Sequence, residues 1–155
     1  GKGCRGSNNR EPLFAEWSFP LIGADFFRMG LSGAIAKTGA FFFFGTSKSK
    51  FGGLALPFDL GAIGATGCFL NSRITILFPA VTTSGTGTAG VIASIPADPV
   101  LEGATFYGQW LIADPKANPA GLVATKGMES RLGRLDTPPK NTTSKAAVKV
   151  RLGFL

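Results

Sequence analysis

The sequence contains no histidine, and that absence removes several chemistries together. Imidazole is the side chain that most readily exchanges a proton near neutral pH, so the common acid–base and nucleophile-activating arrangements lose their base. Cysteine is scarce too: Cys4 and Cys68 stand far apart, outside any C-x-x-C spacing, and without histidine they assemble no zinc set. Charged residues make up only 16% of the chain. The carboxylates that could pair are Asp25, Asp59, Asp98, Glu102 and Asp114, and all five fall in expected turns or at strand ends. Carboxylates there ordinarily accept hydrogen bonds from backbone N–H groups. Asp114 and Asn118 in "DPKANP" offer oxygen ligands, but the segment lacks the acidic density of a calcium loop. No glycine-rich loop opens a helix, so nothing cradles a phosphate. The expectation is a protein with no catalytic residues, no metal and no cofactor.

Long apolar runs are also missing. The densest, "AFFFFG", is far shorter than the ~20 residues needed to cross a bilayer, so no membrane span is expected. The sequence has neither an initiating methionine nor a signal peptide, and it reads as a mature exported protein whose leader has been removed. Two readings of the cysteines stay open: free thiols in a reducing compartment, or one disulfide in an oxidising one. The disulfide is favoured, since closing so long a loop would contribute about 4 kcal/mol.

What is abundant is glycine (22), proline (10) and phenylalanine (14), within a hydrophobic content of 45%. Short apolar runs between frequent turn signals describe an all-β domain rather than a disordered chain. Strands are expected at about 13–19, 25–31, 40–46, 54–58, 69–78, 88–95, 105–113, 122–124 and 128–132. The connections "GLSGA", "TSKSKFGG", "DLGAIGATG", "TTSGTG", "PADPVLEG" and "DPKANPAG" carry the turn chemistry. In "RITILFP", Ile74, Ile76 and Phe78 share one face; "AFFFFG" is apolar on both faces and should be a buried central strand. Asp98 and Pro99 can start a short helical turn. Many short strands at this spacing favour an antiparallel β-sandwich, Ig-like or jelly-roll-like. Trp17, Tyr107 and Trp110 could form a sugar platform, although aromatic residues in alternating strands more often pack the core.

The net charge is +7. From Gly1 to Thr125 there are nine Lys/Arg and seven Asp/Glu, a net of +2; from Lys126 to Leu155 there are seven and two, a net of +5. Phe154 is the only aromatic residue in this basic tail. A solvated or partner-facing basic strand therefore fits better than a nucleic-acid partner.

Three stretches carry a resemblance: "GCRGSN" at Gly3 to Asn8, "FGGLALPFDLGAIGATGCFLN", and "IPADPVLEGATFYGQWLIADPKANPAGLVATKGMESRLG". In this order they resemble the secreted β-sandwich modules common in planctomycetes and some other environmental bacteria, over residues 1–133. The resemblance implies an exported domain with a Cys4–Cys68 disulfide, and it does not imply an enzyme. Residues 134–145, with Pro138 and Pro139, form an extra linker, and 146–155, "AAVKVRLGFL", an extra strand. That extension resembles the donor strand of self-assembling surface fibres and pili.

In the last strand Ala146, Val148, Val150, Leu152 and Phe154 share one face, while Lys149 and Arg151 lie on the other. Twelve linker residues reach up to ~40 Å, enough to return to the same domain or to enter a neighbour. Asn141 opens an N-glycosylation sequon, and Thr142 and Thr143 are candidate O-glycan acceptors. The expected function is that of a structural subunit of an extracellular filament, a homopolymer joined by Val148, Val150, Leu152 and Phe154, with glycans as further partners. The alternative is a carbohydrate- or cell-surface-binding module of a larger secreted protein.

Overall fold

A computed structural model describes residues 1–135. Most of the linker, the strand 146–155 with Val148, Val150, Leu152 and Phe154, and the candidate acceptors Asn141, Thr142 and Thr143 lie outside the described residues.

In chain order the strands are β1 (Leu13–Glu16), β2 (Phe27–Ser32), β3 (Gly39–Gly45), β4 (Lys50–Phe51), β5 (Leu54–Ala55), β6 (Phe58–Asp59) and β7 (Phe69–Leu70). They continue with β8 (Ile76–Leu77), β9 (Val81–Thr82), β10 (Ala89–Ala93), β11 (Thr105–Ala113), β12 (Leu122–Ala124) and β13 (Met128–Arg131). The protein is all-β, with several antiparallel sheets and, among the described residues, two short 3-10 turns, Leu60–Ile63 and Pro99–Leu101. One sheet is ordered β1-β2-β10. A larger one is ordered β12-β11-β3-β8, with β13 also on β11 and β9 also on β3, and β4-β5 and β6-β7 are small hairpins. Among the described residues no helix is long and apolar enough to cross a membrane.

The run of phenylalanines makes β3 the centre of the larger sheet, with ladders on both edges. Phe42 and Phe43 point to opposite faces and are both fully buried. On one face Phe42 meets Phe14 of β1 edge-on, with ring centroids 5.2 Å apart, and Trp110 of β11 at the same distance. Phe27 of β2 meets Phe106 of β11 at 5.9 Å. These rings tie the two larger sheets together.

The other face of β11 carries Gln109, the one polar side chain in "FYGQWLIA", and it is fully buried. Its amide donates to the carbonyls of Phe69 and Thr125 at 2.7 and 2.8 Å and accepts from the Asn71 N–H at 2.9 Å. Asn71 in turn donates to the carbonyl of Lys2. This network pins the excursion between β3 and β8, and the N-terminal segment, against the large sheet. The Cys4–Cys68 disulfide spans a sequence separation of 64 at the same place, and it removes the free-thiol reading.

Several expected strands are shorter or divided. The single strand expected over 69–78 is two separate pairings, because Leu70 leaves β6 before Ile76 joins β3. Ile76 does not share a buried face with Ile74 and Phe78; it is 48% exposed at the sheet margin. The strand expected over 54–58 splits into β5 and β6 around Pro57, which has no N–H for a ladder. The short strand β4 and Thr82 of β9 lie in stretches expected as turns. The helical turn expected at Asp98 is present as a 3-10 turn, capped by Asp98 accepting from Val100 N–H at 3.0 Å.

Candidate functional site

The outer face of the β1-β2-β10 sheet holds the most distinctive surface among the described residues. On β2, Phe27, Met29 and Leu31 are buried, so Arg28 and Gly30 face outward. On β10, Val91 is buried and Gly90 and Ile92 face outward. The register sets Gly30 opposite Gly90 and Arg28 opposite Ile92. Trp17 extends β1 by one more bond, donating its backbone N–H to the carbonyl of Arg28 at 2.9 Å.

The indole of Trp17 lies over both glycines. A Cβ on Gly30 would overlap three ring carbons of Trp17, and one on Gly90 would sit 2.8 Å from Trp17 Cζ3. Glycine inside a strand costs about 0.5–1 kcal/mol of backbone entropy, so these two positions give up stability where the ring needs a flat floor. Trp17 nevertheless remains 52% exposed. It borders, with Arg28, Gly90, Val91 and Ile92, a shallow depression of about 290 Å³. Phe26, 69% exposed, continues the outward alternation of β2, and Leu13 and Ile92 are also exposed. None of the ion pairs among the described residues, Lys48–Glu129, Lys126–Glu11 and Arg134–Glu102, involves Arg28.

The structure does not bring Trp17, Tyr107 and Trp110 together. Trp110 is completely buried in the core. Tyr107 belongs to the opposite face of β11, with Lys48 Nζ 5.3 Å from its ring centre. Trp17 is the one that is more than half exposed, and its seat on Gly30 and Gly90 is set by strands distant in sequence. Isolated glycines inside "FRMGLS" and "TAGVIA" were the available signal, since a glycine in a strand often marks a close approach.

The carboxylates are dispersed. Asp59 accepts from Gly61 N–H at 2.7 Å and caps a 3-10 turn as Asp98 does. Asp114, almost fully buried, accepts from Ser7 N–H at 2.7 Å and from Lys116 N–H at 3.3 Å. The Asn118 amide is spent on both backbone groups of Leu122. Among the described residues no three acidic or cysteine side chains are grouped to hold a metal ion. Glu16 differs from the others: it reaches between the sheets and accepts a hydrogen bond from Ser130 Oγ. Burial pushes its carboxyl above the usual range, and the Ser130 hydrogen bond offsets part of that rise.

The sheet margins complete the picture. Among the described residues β10 is paired on one side only, with β2. Its core-facing Ala89 and Ala93 are half-buried, as are Phe78 next to β8 and Val81 on β9. Compared with known proteins, the chain matches no family model, no curated protein and no solved structure.

Proposed function

We propose that the protein is a structural subunit of an extracellular filament, in which residues 146–155 of one molecule add a strand to the next. On this reading residues 1–133 form an antiparallel sandwich, supported by the ring contacts that join the β1-β2-β10 sheet to the larger one. The reading also keeps the resemblance to exported β-sandwich modules drawn from "GCRGSN" and the longer motifs. The observation that carries the proposal is the edge of β10, five residues long and unpaired among the described residues, beside core-facing side chains that are partly exposed. A donor with Val148, Val150, Leu152 and Phe154 on one face would pair with that edge and cover those side chains. Lys149 and Arg151 would remain in water. Gly133 is hydrogen-bonded to Pro20 and Ile22, so the linker starts from a fixed point, and its reach of up to ~40 Å is about the width of so small a domain. Head-to-tail addition of this kind builds a fibre when the rotation between subunits does not close a ring.

The test uses the full chain with Val150→Asp and Leu152→Asp together. Fibres should vanish from negative-stain images while a cooperative melt is retained. A chain lacking 146–155 should likewise stay monomeric, and adding the peptide AAVKVRLGFL should raise its Tm. If the shortened chain still forms fibres, the proposal fails.

A further inference from the structure

The Trp17 face is the outward side of the β1-β2-β10 sheet, opposite the core-facing side chains of β10, and it has the form of a ligand platform. We infer that it binds one sugar ring of an acidic polysaccharide, with the ring stacked on the Trp17 indole and its carboxylate held by Arg28. This inference stands independently of the filament reading.

Three observations carry it. First, the indole is seated flat on Gly30 and Gly90, so one face is taken up by the sheet and the other is presented to solvent. A planar aromatic face with an apolar, weakly negative surface suits the C–H-bearing face of a pyranose. Second, Arg28 and Trp17 border the same depression, whose volume of about 290 Å³ falls at the small end of ligand sites, ~300–1,000 Å³. That is room for a single ring beside a guanidinium, which grips carboxylates through two parallel N–H donors. Third, the charge is complementary: Arg28 stands at the depression and is held by no carboxylate among the described residues. Ile92 and Phe26, both exposed, extend the apolar track along the sheet, which a polymer would follow better than a free monosaccharide.

The chain has two tryptophans, and Trp110 is sealed in the core, so solvent quenching of fluorescence reports on Trp17. Sodium polygalacturonate should protect the full-length protein from acrylamide quenching and bind it in calorimetry, at an ionic strength high enough to screen diffuse attraction. Trp17→Ala should weaken that binding at least tenfold. Arg28→Gln should keep the stacking but erase the preference for polygalacturonate over its methyl ester. Because Trp17→Ala could disturb the sheet, Trp17→Phe serves as the milder variant, with binding intermediate between the two. Equal affinity of wild type and Trp17→Ala would overturn the site. So would protection of Trp17 that grows with protein concentration in the absence of polysaccharide, since that would assign the face to a second copy of the chain.

Discussion

Glu16 shows how a single side chain can couple the two larger sheets to pH. It stands on β1, and its hydrogen-bond donor Ser130 stands on β13 of the other sheet. Its folded-state pKa is raised, chiefly by burial, so the folded protein holds this proton more tightly than the unfolded chain does. The resulting stabilisation is complete below the unfolded carboxyl value of about 4.3. It is lost as the pH rises through the higher folded value. Glu16→Gln keeps an oxygen for Ser130 and has no charge to desolvate. Its Tm advantage over wild type should be near zero below pH 4 and reach a few degrees at pH 7; an advantage that does not change with pH would refute the assignment. Nothing in "LFAEWS" distinguishes Glu16 from a surface residue, because its burial depends on a strand more than a hundred positions away. Trp17, next to it, illustrates the converse. Its type argued for the core, but the sheet's alternation and the glycine floor turn it outward.

At the level of elements, β11 and β12 lie where the alternation places them: β11 stays on β3 from Tyr107 to Ile112 while its other edge passes from β13 to β12. The stretch 69–78 does not, because it changes partners midway. Asn71 N–H turns to Gln109, Arg73 N–H bonds the carbonyl of Ser47 at 2.9 Å, and only then does Ile76 join β3. Apolar periodicity reports which faces are dry, and it is silent about which strand supplies the ladder. The turn "TTSGTG" was legible, and it contains a strict requirement. Gly87 has φ +73°, and a Cβ there would overlap the carbonyl of Ala34. Gly87→Ala should therefore lower stability in urea unfolding by at least about 2 kcal/mol. Gly85→Ala, two residues away with open space around it, should change it by no more than about 0.5 kcal/mol. Equal effects at the two positions would contradict the geometry.

Over the whole molecule, the Cys4–Cys68 bond closes a loop that takes in β1 to β6 and ties it to the face on which Gln109 and Asn71 are buried. Reduction should lower the unfolding free energy by about 4 kcal/mol, measured in urea with and without dithiothreitol. A loss under about 1 kcal/mol would mean that the polar network holds the N-terminal segment unaided. The sequence alone determined the all-β class, the central apolar strand at "AFFFFG", and the backbone-bound fate of Asp59, Asp98 and Asp114. Each of these follows from local composition, a two-residue period or turn chemistry, all of which act over a few residues. Only the tertiary structure decided that Gly30 and Gly90 stand side by side beneath Trp17, that Glu16 faces Ser130, and that among the described residues β10 pairs on one side only. Those are matters of register between distant strands, and register depends on which core side chains pack together, which no local pattern contains.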